Sequence, residues 1–182
     1  MRDIIDLLES KDKLILEPLP YARTELAPVL SKQTVDYHYG ELAKGYVTRY
    51  NADEGDSEFN AAGAYLHNIY FPQLMSPKNG NKPSGASLDL INRKYGNFMD
   101  FKKAIEEEAM KIQGSGWVYM ARNGDIKTIK NHAIKKDIAL LIDWWEHAFA
   151  LDYQSDKKSY LTNTWRIINW ETVNRRIYAG IK

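Results

Sequence analysis

Two changes of hydrophobic period divide this 182-residue chain and define an α+β fold, with helices first, a small antiparallel sheet next and helices again at the end. Apolar and aromatic residues recur at helical spacing up to about residue 71, alternate or form a solid run between residues 116 and 143, and return to helical spacing after residue 156. From the N-terminus, MRDIIDLLES is expected as a short amphipathic helix with Leu7 and Leu8 turned inward. Three prolines between Glu17 and Val29 make the next stretch an extended lead-in. Ser31 then offers a helix cap, its side-chain oxygen available to an exposed backbone N–H, and Val35, His38, Tyr39, Leu42, Tyr46 and Tyr50 share one stripe. A second helix runs from about Glu58 to Phe71, where Pro72 stops it. The loop MSPKNGNKPSG separates an N-terminal part with the α-hairpin, residues 1–76, from a C-terminal α+β part, residues 77–182. There, Ser87 and Asp100 are the expected caps of two helices. GWVYMARNGDIKTIKN is a hairpin closed by a two-residue turn at Asn123-Gly124. Ile138 to Asp143 is a third strand, apolar until its last residue and so expected in the middle of the sheet. Asp156 caps a helical tail through Ile168, and a last helical piece covers Val173 to Tyr178.

Composition narrows the function before any motif does. A chain this long, 44% hydrophobic and 27% charged, buries a core without disulfide or metal staples. With 25 Lys+Arg against 24 Asp+Glu there is no clustered positive excess to track phosphate, so neither nucleic acid nor a membrane surface is an expected partner. The longest apolar run, Ile138 to Ile142, is far short of the roughly 20 residues of a membrane helix. Asp3, Asp6 and Glu9 interrupt the opening apolar residues, unlike a secretory signal, and the expected location is cytoplasmic. The absence of Cys removes disulfides, thiolate metal sites and thiol nucleophiles. Any chemistry falls to His, Asp, Glu and Tyr.

His38, His67, His132 and His147 are the whole supply of imidazole. The first two lie on core-facing stripes of the first two helices, His132 ends the second strand and His147 follows the third. One such histidine on an apolar face is more often a satisfied core residue than a ligand. Three together with a carboxylate read differently. Asp143-x-x-x-His147 puts a carboxylate at the end of a buried strand and an imidazole just past it, free to turn toward the same point. A buried carboxylate without a partner is costly, and a divalent or trivalent cation is the strongest partner there is. Three imidazoles and one carboxylate suit iron, manganese or zinc better than calcium or magnesium, which prefer oxygen.

The segments LPYARTELAPVLSKQTVDYHYGELAKGYVTRYN, LHNIYFPQL, GSGWVYM and DWWEHAFALDY, in this order and at these separations, resemble the iron/manganese superoxide dismutases over about Leu19 to Arg176. The resemblance implies an N-terminal α-hairpin domain packed on a C-terminal domain with a three-stranded antiparallel sheet flanked by helices. It also implies a homodimer, with tetramers left open, superoxide as substrate, and one Fe or Mn ion per subunit held by His38, His67, Asp143 and His147. Tyr46 matches the residue that gates the substrate channel, and lies about two helical turns from His38 on the same face. Trp117 and Trp145 match aromatics that wall the pocket, and Glu146 matches a residue that crosses the dimer interface to support a ligand His. A trivalent ion with one carboxylate and one hydroxide keeps a single positive charge, which attracts superoxide whatever the net charge of the chain.

The outer positions are more particular to this chain. Many iron members carry Gln four residues before the second ligand, where this sequence has Gly63; the matching hairpin position is His132, expected to hydrogen-bond solvent at the metal. This Gly-plus-His arrangement leans to iron and leaves manganese open. Leu42 and Ala43 stand where the family usually has histidines, Ala150 where it has the Tyr that bonds the first of these across the interface, and Leu66 where it often has Asn. Loss of both polar partners leaves no unpaired group behind. Arg176 in NWETVNRR resembles a basic residue near the channel mouth, and Arg49 is a second cation that could steer anions. Two other readings stand beside a working dismutase: a metal-binding relative with weakened or redirected activity, and a metal-free helical module with core histidines.

Overall fold

The computed structural model describes residues 12–179; the expected helix at residues 1–10 lies outside them. The lead-in crosses the α-hairpin as an extended strap. Asn51 accepts from the Leu14 N–H at 2.8 Å and donates to the Leu14 carbonyl at 2.9 Å, and Asn68 does the same for Glu17 N–H and Ile15 O, both at 2.9 Å. Leu14 and Leu16 thereby pack on Tyr46, Val47 and Ala64. Ser31 caps the first helix as expected, accepting from Thr34 N at 3.1 Å.

That helix is not one continuous α-helix. It runs as α1 (Lys32–Tyr37), a π-helical turn (His38–Ala43) and α2 (Lys44–Asn51). The wider turn begins at His38, and such turns are frequent at functional sites. Helix α3 (Ser57–Tyr70), capped by Asp56, passes into a 3₁₀ turn (Phe71–Gln73) at Pro72 and completes the hairpin.

Two caps fall elsewhere than the sequence suggests. Helix α4 (Gly85–Tyr95) begins after Ser84; Ser87 is buried inside its first turn, its hydroxyl turned back to Ser84 O at 2.9 Å. The free N–H of Ser87 is met at 2.8 Å by Asn174, which is 87 residues away and invisible to any local rule. Helix α5 (Phe98–Met110) is capped by Asn97, whose side chain accepts from Asp100 N at 2.8 Å. Asp100 instead lies in the first turn, where its charge suits the helix dipole.

The sheet has the order β2-β1-β3, all antiparallel, with β1 Gly116–Ala121, β2 Ile126–Lys130 and β3 Ile138–Asp143. So β3 is an edge strand, not the middle one. It is wholly buried because its free edge is covered: the Gln73 side chain pairs with both the N–H and the C=O of Leu141. The hairpin loop is likewise longer than expected. Ala121 N bonds Asp125 O at 2.8 Å around Arg122, Asn123 and Gly124, and of these only Gly124 has positive φ, at 92°. Asn123 serves through its side chain, which accepts from Asp125 N at 2.9 Å.

After a 3₁₀ turn (Glu146–Ala148) come short α6 (Ala150–Tyr153), α7 (Lys157–Thr164), a further 3₁₀ turn (Trp165–Ile167) and α8 (Trp170–Ala179). Asp156 caps α7 as expected. One core joins the base of the hairpin, the sheet and these helices, while Tyr46, Val47 and Ala64 form a small second cluster under the strap. Among the described residues no helix is long and apolar enough to cross a membrane.

Candidate metal centre

Four elements end at one point. The π turn supplies His38, α3 supplies His67, the end of β3 supplies Asp143 and the following 3₁₀ turn supplies His147. One ligand atom from each lies within 4.8 Å of every other. Asp143 Oδ2 is 2.9 Å from His38 Nε2, 3.1 Å from His147 Nε2 and 3.7 Å from His67 Nε2, and His38 Nε2 is 3.1 Å from His67 Nε2. Ligand atoms about 2.1 Å from a shared ion are separated by roughly 3.0 Å at right angles and 3.6 Å at 120°, so these spacings are those of a coordination shell.

The surroundings leave the inward-facing atoms free for a cation. His67 Nδ1 donates to Gly63 O at 2.7 Å, so Nε2 carries the lone pair. Asp143 Oδ1 accepts from Trp145 N at 2.9 Å and its carbonyl accepts from Tyr160 at 2.8 Å, which fixes Oδ2 toward the centre. Burial holds His38 below the ordinary histidine range and His67 well below it, the latter helped by His38 itself. Burial acts to raise Asp143, but the imidazoles of His147 and His38 outweigh it and hold the carboxyl below the usual range. Neutral imidazoles and an ionised carboxylate are the protonation states that bind metal. The donor set fits one iron or manganese ion.

Beyond the ligands, Tyr46 stacks on His67 with ring centres 5.4 Å apart, and its hydroxyl lies 2.8 Å from His132 Nε2. The Trp117 indole donates to His132 Nδ1 at 3.1 Å. A neutral imidazole that accepts at Nδ1 carries its proton on Nε2, so His132 donates to Tyr46. Both ring nitrogens are thus taken by protein, and His132 reaches the centre through Tyr46 rather than by the direct bond to solvent expected of it. Burial pushes His132 down to about 4 and Tyr46 up to about 12, so both are neutral around neutral pH. Trp145 stacks on His132 at 4.5 Å and on His147 at 5.4 Å. Gly63 explains why Tyr46 fits: a Cβ there would lie 2.8 Å from the tyrosine ring.

Other candidates sort by position. Leu42 and Ala150 are half-buried and Ala43 is buried; Glu146 is exposed on the turn that carries His147. Arg176 does not front the channel. It is 9% exposed, with its guanidinium bonded to Ile69 O at 2.7 Å and Gln73 Oε1 at 3.1 Å, so it locks the amide that covers β3. A cation whose donors are spent on carbonyls inside the core has no part in capturing anions from solvent. The sequence reading missed Phe59, which packs on Tyr46 and His132, and Tyr70, which packs on His38. Phe59, Gly63, His67 and Tyr70 follow one another at helical spacing, a signal that was available; Gln73, beyond Pro72, gave none.

An α-hairpin over an antiparallel sheet, closing three imidazoles and one carboxylate around a point, defines a mononuclear metalloprotein. Residues 13–56 match the profile for the alpha-hairpin domain of iron/manganese superoxide dismutases, and residues 83–176 that for their C-terminal domain. Three relatives described as "Superoxide dismutase [Fe]" are similar over nearly the whole chain. That of Bordetella pertussis is 37% identical, covering 86% of this chain and 94% of its own. Those of Escherichia coli K12 and Pyrobaculum aerophilum are 33% and 32% identical, covering 90% and 91% of this chain and 98% and 92% of theirs. The chain belongs to the iron/manganese superoxide dismutase family.

Proposed function

We propose that this protein converts two superoxide anions and two protons to one dioxygen and one hydrogen peroxide, using one iron ion per subunit. The observation that carries the reading is the convergence of His38, His67, Asp143 and His147 on one point, three of them buried. The metal, iron or manganese, supplies the electron transfer by passing between two oxidation states. Iron is favoured over manganese by the names of the relatives and by the pairing of Gly63 with His132.

The side chains hold geometry and protons. Asp143, pinned at Oδ1, keeps its charge on the metal side. Tyr46 keeps its proton across the working pH range and, because it accepts from His132, has that proton free to offer to reduced substrate. Trp117 and Trp145 wall the pocket and fix the His132 ring. Residues 1–76 and 77–182 act as the two units that close on the ion. In a homodimer the exposed Glu146 would support a ligand histidine of the partner subunit, while Leu42 and Ala150 leave that contact without the usual polar pair. A cytoplasmic location agrees with the sequence. Loss of that pair also favours one other reading, a metal-binding relative with weakened or redirected activity. Superoxide consumption by iron-loaded and manganese-loaded samples decides between them: turnover well above that of the free ion supports the proposal, and metal binding without turnover leaves the relative.

A further inference from the structure

Arg49 lies on α2 one turn beyond Gly45 and three residues past Tyr46, and although the residue is exposed its guanidinium is turned onto the Tyr46 ring. Its Cζ sits over the Tyr46 ring, 5.2 Å from the centre. Gly45 leaves room beneath it: a Cβ there would come within 2.9 Å of Arg49 Nη1, the movable end of the side chain. From the other side, Arg49 Nε donates to Asn60 Oδ1 at 3.2 Å, and the buried Asn60 donates in turn to Glu54 O at 3.0 Å. Glu54 N bonds back to Arg49 O at 2.9 Å, closing a ring of contacts around the one side chain. Among the described residues no carboxylate forms an ion pair with it, although Asp53, Glu54, Asp56 and Glu58 crowd the same loop. An arginine held over an aromatic face acts on that ring through its charge.

We propose that Arg49 is a positioning residue for Tyr46, holding the ring against His67 and His132 by its charge, with Gly45 and Asn60 as its seat. This rests on the reading of the site as a superoxide dismutase only for its consequence in turnover; the placement itself is testable without it. The full chain loaded with diamagnetic zinc and labelled with carbon-13 in its tyrosine rings reports Tyr46 directly, its signal assigned by loss in Tyr46→Phe. Arg49→Gln, which keeps a polar donor but no charge, is expected to shift and broaden that signal, and Arg49→Lys to keep it near the parent. In iron-loaded protein, Arg49→Gln is expected to lower kcat about threefold to tenfold, with Arg49→Lys recovering most of it, as fits the worth of a charge over an aromatic ring. Melting temperatures should differ little among the three, as usual for an exposed position. An unchanged Tyr46 signal in Arg49→Gln, or equal effects of Gln and Lys, overturns the proposal. If the parent itself does not consume superoxide, the functional reading falls while the ring signal still decides the role of Arg49.

Discussion

The ligand set and the ring of side chains beyond it meet at one centre but are held by different kinds of partner. Two of the ligands are fixed through main chain, His67 by Gly63 O and Asp143 by Trp145 N and, through its own carbonyl, by Tyr160. The outer ring is fixed mostly side chain to side chain, in the order Trp117, His132, Tyr46, with Trp145 stacked on His132 and Arg49 on Tyr46; only Trp145 also donates to main chain, at Asn131 O. Main-chain anchors survive most substitutions nearby, whereas each side-chain anchor is lost with a single change. The inner set should therefore fail all at once, and only when a ligand is touched. The outer ring should fail by degrees.

The largest effect is expected from Asp143→Asn. Asp143 Oδ2 faces three imidazole nitrogens within 3.7 Å, so the substitution removes the only negative charge of the set. Metal content after purification should fall to background, along with superoxide consumption. Stoichiometric iron or manganese in this variant, measured by elemental analysis, would contradict the assigned ligand set.

Next in size is Gly63→Ala, which probes the boundary between the two regions. The new methyl would be 2.8 Å from two atoms of the Tyr46 ring and 3.0 Å from a third, a contact that requires movement. Overpacking of this kind costs about 1–3 kcal/mol, or roughly 2–12 °C in melting temperature for a chain of this size. Because the Gly63 carbonyl still receives His67, metal content should be kept while turnover falls. Loss of metal together with turnover would show that inner and outer regions are not separable.

His132 gives the comparison a pH dependence. Its folded-state value of about 4 lies below the unfolded value of 6.5, so between these the unfolded chain binds more protons than the folded one. Stability from this group is complete above about pH 6.5 and is lost as pH falls through 4, an effect of about 3 kcal/mol. His38 and His67 are also held low, so the parent's acid sensitivity has several sources, and the difference between parent and His132→Gln isolates one. The variant should lose stability less steeply between pH 6.5 and 4.5. Parallel curves for the two proteins in denaturant titrations would remove His132 from the account.

The two regions also differed in how far the sequence disclosed them. A metal set of histidines with Asp143 was legible because chemistry limits which residue types hold a metal; the choice of His38, His67 and His147 and the role of Tyr46 came with the family resemblance, helical spacing adding that Tyr46 lies two turns from His38. The α+β order, the Ser31 and Asp156 caps and the Pro72 stop were legible because each depends on neighbours a few residues away. What was not legible depended on distant partners. Asn174 caps the first turn of α4, Gln73 turns β3 into a covered edge, and Arg176, expected at the surface, is drawn inside to hold Gln73. No local pattern marks any of these, since a polar residue that bonds across the core looks like one that faces water. The role of His132 was half legible: the residue was found and expected to hydrogen-bond solvent at the metal, whereas Trp117 and Tyr46 take its two ring nitrogens.

The smallest effect is expected at the strap, which touches only the outer region. Asn68 follows the ligand His67 directly, yet its side chain points the other way and bonds Glu17 N–H and Ile15 O. Both of those bonds are exposed, so in Asn68→Ala water replaces the lost partners and no buried group is stranded. The cost should be about 0.5–1.5 kcal/mol, and it should loosen Leu14 and Leu16 where they cover Tyr46 and Val47. Hydrogen exchange should quicken at Leu14 and Glu17 while metal content stays at the parent level. If Asn68→Ala instead loses metal, then the ligand His67 depends on its neighbour's side chain, and the contrast between a main-chain inner anchor and a side-chain outer one does not hold on α3.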